Sequence, residues 1–354
     1  KRDETVSKQA YSEARQKIKP EAFIALNDAI CTAIYENPDD YERWNGYRLS
    51  AIDASILEIP NTELLRKEFG YVENQSIKDA KATASCIYDV LNRIVIKSKV
   101  DKYGLPEREM AKSLISQLIK DGTKQDLILF DRGYPSADFV AFLFENGIDF
   151  VIRTPGNFSK AIGDAKKPDQ IIDIKNNGKT YKVRVLRFLL SSGIEEVLLT
   201  SLMKTSLTIE DFKQLYFMRW GIEIKFDDVK NILEIENFTG TTKIAIEQDF
   251  YASIYLMNMA ELARQQSNEI IENKQEDKNL KHEYKTNMNV LIGTLKDKFV
   301  MMLLEESKRK RNKMFMSIMN TISKSVTPIR PGRQNERKDK KSTIKFKINR
   351  KRAL

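Results

Sequence analysis

Apolar residues recur through the first 45 positions at Phe23, Leu26, Ile30, Ala33 and Ile34, with Pro20 and Pro38 as punctuation. A spacing of about 3.6 residues predicts a small helical lead-in. At Arg48 the period shortens. Leu49-Ser50-Ala51-Ile52-Asp53-Ala54-Ser55-Ile56-Leu57 alternates and carries enough β-branched residues for a buried strand ending near Pro60. Cys86 to Val90 and Ile94 to Ile96 read as two more strands. Met110, Leu114, Leu118 and Ile119 then form the stripe of an amphipathic helix over 107–120, closed by Asp121-Gly122. The apolar run 127–130 predicts a strand, and Asp131-Arg132-Gly133-Tyr134 a turn. Ser136 caps a helix that reaches Asn146-Gly147, and 150–153 is a further strand.

Strand, strand, strand, helix, strand, helix, strand is the order of an α/β core with a mixed sheet. Residues 155–204 break that alternation. Strands at 170–174, 181–185 and 197–200, with Asn176-Asn177-Gly178 as a hairpin turn, predict an all-β stretch. Helix resumes behind Thr208 and runs through Lys230, and long helical stretches follow at about 245–272 and 286–324. The expected organisation is a helical N-terminal region (1–46), a first part of the core (47–154), a β-rich insertion (155–207), a return to the core (208–240), a helical C-terminal region (241–325) and a tail (326–354).

Nearly all of the net charge of +10 sits in that tail. From Val326 to Leu354 eleven Lys and Arg face only Glu336 and Asp339, which leaves the rest of the chain nearly balanced. The segment from Arg330 and Arg333 to Arg350-Lys351-Arg352 suits phosphate neutralisation with counterion release, or a plain solubilising terminus. Cys31 and Cys86 show neither disulfide nor zinc spacing, and the lone His282 has no partner set for nucleophilic catalysis. No apolar run approaches a membrane span, and the first residues do not resemble a signal peptide, so a soluble, cytoplasmic protein is expected.

The most specific feature is Tyr216, Arg219, Glu223 and Lys230. On one helix they fall at about 0°, 300°, 340° and 320°, a single face of phenol, carboxylate and two cations. A solvated face with an Arg219–Glu223 pair has the same spacing. Against that, Trp220, Ile222, Ile224, Phe226 and Val229 surround the stripe with apolar bulk. Asp53 lies inside an apolar strand, where an ionised carboxylate needs a cation or hydrogen bonds. Asp131 ends another strand, the edge where open α/β sheets place ligands. Either is also compatible with a turn or capping role, and Asp89 rivals Asp53 from a second apolar strand. Three carboxylates without histidine suit Mg2+ or Mn2+ rather than zinc, and two such ions can drive phosphodiester cleavage.

The Tyr216-Arg219-Glu223-Lys230 spacing resembles the Tyr-Arg-Glu-Lys signature of bacterial insertion-sequence DDE transposases, in the branch grouped around insertion sequence four. Ala51 to Ser55 resembles that family's first-aspartate strand, and Phe130 to Tyr134 its second; the similarity covers about residues 10 to 350. The resemblance implies an RNase H-like catalytic core, with Asp53, Asp131 and Glu223 as catalytic metal ligands for two ions. Tyr216, Arg219 and Lys230 would contact double-stranded DNA at the element ends. It further implies cut-and-paste transposition through a hairpin, a homodimer on paired ends and a place at the nucleoid. An aromatic in the β-rich stretch would stack a flipped base; both tryptophans, Trp44 and Trp220, lie outside it, which leaves Tyr181 or Phe188. A catalytically silent DNA-binding descendant and a nuclease without strand transfer are the other functional readings.

Overall fold

The computed structural model describes residues 6–73, 78–190, 192–275 and 282–329. Two helices, α1 (Lys8–Gln16) and α2 (Glu21–Ile34), lead into β1 (Arg48–Glu58), then α3 (Glu63–Phe69), β2 (Tyr71–Glu73), β3 (Lys78–Asp89) and β4 (Ile94–Lys102). The chain continues through α4 (Glu107–Lys120), β5 (Asp126–Phe130), α5 (Ala137–Glu145), β6 (Asp149–Thr154) and α6 (Lys160–Asp164). β7 (Asp169–Asn176), β8 (Lys179–Leu189) and β9 (Glu195–Thr200) follow, then α7 (Ile209–Phe217), α8 (Trp220–Asn231) and α9 (Lys243–Gln275). β10 (Tyr284–Thr286), α10 (Met288–Leu303), α11 (Lys308–Ile322) and β11 (Val326–Pro328) close the described chain.

Nine strands form one mixed sheet in the order β2-β3-β1-β5-β6-β9-β8-β7, with β4 also on β3. β1, β5 and β6 run parallel, while β3 is antiparallel to both β1 and β4. The strands expected as an insertion extend this same sheet, because β9 pairs antiparallel with β6. Alternation along β1 divides the interior in two. Leu49, Ala51 and Leu57 face Phe212, Ile222, Phe226 and Phe250 of the later helices. Ile52 faces the other way, with Ile128 and Phe130, toward Leu114, Leu118 and Phe139. Period two thus gives the strand two buried faces, each covered by its own helical layer.

Two sequence expectations about helices are corrected. The stretch behind Thr208 does form a capping box with Asp211, but the helix is interrupted at Met218–Arg219. There the backbone N–H groups of Met218, Arg219, Gly221 and Ile222 bond three residues back, to Leu215, Tyr216, Met218 and Arg219. These tight turns replace the four-residue ladder, so α7 and α8 are separate helices. The stretch 286–324 likewise splits, because the Ser307 side chain caps α11 by accepting from the Lys310 N–H. Cys31 and Cys86 are both free and buried. Among the described residues no helix is long and apolar enough to cross a membrane.

Candidate metal-binding and catalytic site

Strand register brings the two aspartates to one edge. β1 and β5 pair from Arg48↔Asp126 to Ala51↔Leu129. Asp53 lies two residues further along β1, Asp131 one residue past the end of β5, and the charge of Asp131 acts on Asp53. The start of this register is locked by a buried ion pair, in which Arg48 Nε donates to Asp126 Oδ1 at 2.7 Å. Asp53 is half-buried and points by alternation to the α8 side of the sheet. It accepts the Ala54 N–H at 2.9 Å. Burial pushes its carboxyl up to about 6; the Ala54 N–H and Arg219 pull down, while Asp131 and Glu107 add to the rise.

Asp131 sits one residue past β5, where Oδ1 accepts the Gly133 N–H at 2.8 Å and folds the chain into a turn. Gly133 keeps that turn open. A Cβ there would lie 3.1 Å from Asp131 Oδ1 and 3.6 Å from Glu107 Oε2, so both carboxylates converge on the space the missing side chain leaves.

Glu223 comes from the first turn of α8, and Oε1 accepts from Arg219 Nη2 at 2.7 Å. The Arg219 side chain is only 5% exposed, against 37% for Glu223. Its guanidinium lies over the Tyr216 and Trp220 rings, and its Nε is buried without a partner. Two ties brace the helices against the sheet: the buried Tyr216 hydroxyl donates to the Phe130 carbonyl, next to Asp131, at 3.3 Å, and Lys230 Nζ donates to the Ile56 carbonyl at 2.8 Å. The four signature residues therefore straddle a helix break. Tyr216 and Lys230 tie α7 and α8 to the strands that carry Asp53 and lead into Asp131, while Arg219 and Glu223 pair with each other across the break.

Among the described residues no three Asp, Glu, His or Cys side chains converge into a ready-made metal cluster. Asp53 and Asp131 are electrostatic neighbours, while Glu223 is turned to Arg219. The donors themselves fit a hard divalent ion: all are carboxylate oxygens, with no histidine beside them. Asp89, the rival first carboxylate, is a structural residue. It is fully buried and accepts from Tyr35 Oη, Asn92 Nδ2 and the Leu91 and Asn92 N–H groups.

The family described as "Transposase DDE domain" matches residues 44–259, more than half of the chain and all three candidate carboxylates. The chain belongs to the DDE transposase family. No curated protein matches it. One similar solved structure is a piggyBac transposase synaptic complex with hairpin DNA, at 11% identity and a TM-score of 0.44. The similarity covers 83% of this chain and 63% of that one, so the chain spans less than two thirds of its length.

Within this DDE transposase domain the strands after residue 155 reach the site. Arg153 of β6 pairs with Glu196 of β9 at 3.1 Å, and both act electrostatically on Tyr216. Tyr181 stacks on Phe144 and donates to Glu145, and Phe188 is buried beneath Lys213, so both candidate stacking aromatics are engaged in packing. Arg330, Arg333 and nearly all of the basic tail lie outside the described residues. Sequence reasoning missed Glu107 and Tyr134. Glu107 reads as an ordinary first-turn acid of α4, and Tyr134 ends the second-aspartate stretch as an apparently passive aromatic.

Proposed function

We propose that the chain is an active DNA transposase that cuts and joins DNA at the ends of an insertion sequence, with Asp53, Asp131 and Glu223 holding Mg2+ or Mn2+, two ions in all. The observation that supports this reading is that Asp53 lies on β1 and Asp131 just past the parallel neighbour β5, close enough for Asp131 to act on Asp53, with the Glu223 helix tied to both strands. The strand order β4-β3-β1-β5-β6, with only β3 reversed, supports an RNase H-like core. Bound ions would supply activation of a water and stabilisation of the leaving oxygen in phosphodiester cleavage.

The protein's own part is positioning. Asp53 and Asp131 present oxygens from a rigid edge, and Glu223 joins them when it leaves Arg219. The freed guanidinium then suits bidentate contact with a DNA phosphate, and Lys230 offers a point charge nearby. Tyr216 is as buried as Arg219, so contact of either with DNA would require the α7–α8 junction to open; closed, Tyr216 braces α7 against the Phe130 carbonyl. Double-stranded element ends and target DNA, a homodimer on paired ends, a hairpin intermediate and a place at the nucleoid belong to the same proposal.

Incubation with Mg2+ and the flanking DNA of the protein's own gene should give nicks and hairpins at one defined position on a denaturing gel. Glu223→Gln is expected to abolish them while retaining DNA binding. Binding without any cleavage by the parent chain would favour a silent DNA-binding descendant, and cleavage without joining a nuclease. Undiminished cutting by the variant would remove Glu223 from the site.

A further inference from the structure

The acidic edge holds one carboxylate more than Asp53, Asp131 and Glu223. Glu107 opens α4, and its Oε2 approaches the same vacant Cβ position of Gly133 as Asp131 Oδ1. A first-turn acid is favoured by the helix dipole alone, but that does not account for this one. Glu109 of the same turn pairs with Lys112, whereas Glu107 makes no ion pair or side-chain hydrogen bond among the described residues, and the charge that acts on it is that of Asp131. Like charges set together without a cation between them destabilise the fold unless something else neutralises them.

A second observation is independent of the acids. Tyr134 is fully buried, and its hydroxyl has no hydrogen-bond partner. Burial acts most on that hydroxyl, and after it the charges of Asp53, Glu107, Asp131 and Cys86, so the idle donor lies within the field of the same carboxylates. A buried hydroxyl without a hydrogen-bond partner destabilises the fold. A hydrated divalent cation beside Asp131 and Glu107 would relieve their mutual repulsion, and its waters would supply the acceptor that the Tyr134 hydroxyl lacks.

We propose that Glu107 is a fourth metal-binding carboxylate of this site, acting with Asp131, and that the Tyr134 hydroxyl orients the oxygens or waters around the ion. This rests on the metal-dependent reading of the function, and the test separates the two.

Mn2+ binding to the full chain is measured at pH 8 by the loss of the free-ion electron paramagnetic resonance signal, without DNA or turnover. Glu107→Gln is expected to weaken Mn2+ binding at least about tenfold or to remove one bound ion, as loss of a ligand or its orienting partner does. Glu109→Gln, on the same helical turn, should bind as the parent does. Tyr134→Phe should weaken Mn2+ binding while keeping or raising thermal stability in the absence of metal, since it deletes an unpaired donor. Parent-like binding by Glu107→Gln, with Asp53→Asn impaired, would overturn the proposal and leave the three-carboxylate reading standing. Parent-like binding by both Glu107→Gln and Asp53→Asn would overturn both.

Discussion

Asp53 stores a charge that the metal-free protein compensates poorly, and this has a measurable consequence for stability. Its carboxyl titrates at about 6 in the fold against an ordinary value of 3.8, raised first by burial and then by Asp131 and Glu107. For an acid raised in this way, ionisation works against folding. The penalty is absent below pH 3.8, grows as pH rises toward 6 and is constant above it. A shift of about 2 units corresponds to about 3 kcal/mol. Because the side chain is partly open to solvent, screening brings this to about 1–2 kcal/mol. Asp53→Asn removes the charge and keeps an oxygen for the Ala54 N–H. At pH 8 without metal the variant should therefore melt a few degrees above the parent, with about 2 °C per kcal/mol as a guide for a chain of this size. The difference should close below pH 4. Added Mg2+ should raise the parent's melting temperature more than the variant's, because the parent binds the ion more tightly in its folded state. Thermal scans by circular dichroism across pH, with and without Mg2+, measure all three effects. A folded variant that melts at or below the parent at pH 8 would refute the idea of an uncompensated charge.

Tyr216→Phe deletes the hydroxyl that ties α7 to the Phe130 carbonyl, and should cost about 1 kcal/mol in denaturant unfolding while lowering Mg2+-dependent cleavage more than DNA affinity. Equal losses in both would count against the bracing role. Asp89→Ala strands the Tyr35 hydroxyl and the Asn92 amide, and should destabilise the fold by about 3 kcal/mol without changing Mn2+ affinity in the folded fraction. Altered Mn2+ affinity would restore Asp89 as a candidate ligand. Deleting 330–354 keeps β11 and should flatten the salt dependence of DNA affinity by about 0.9 in log–log slope for each phosphate the tail no longer neutralises. An unchanged slope would make the basic segment a bystander.

Local pattern made β1, α4, β5, α5 and β6 legible, because each couples a clear hydrophobic period to a cap or turn at its end. β3 is longer than its pattern suggests. Its first two thirds, Lys78-Asp79-Ala80-Lys81-Ala82-Thr83-Ala84-Ser85, is built from small and charged residues, and Ala80, Ala82 and Ala84 are buried by the chain packed over them. The break at Met218–Arg219 has only Gly221 beside it, a residue that sits inside α8 and so reads as part of a continuous helix. The pairing of β9 with β6 joins residues nearly fifty positions apart, which no local window reports. At the site, Asp53, Asp131 and Glu223 stood out as carboxylates in apolar surroundings. Glu107 did not, since its meaning comes only from the close approach across Gly133.

The uninterrupted sheet also limits how the protein can be dissected. Residues 155–207 supply β9, the neighbour that covers one side of β6, and β6 carries Phe150, Val151 and Ile152, all fully buried. A shortened chain that jumps from Thr154 to Thr208 would leave β6 as a bare apolar margin with unsatisfied peptide groups, the kind of surface that recruits other chains. Such a fragment should precipitate or form oligomers in place of a smaller working catalyst, so shortening the protein is safer from its ends than from its middle.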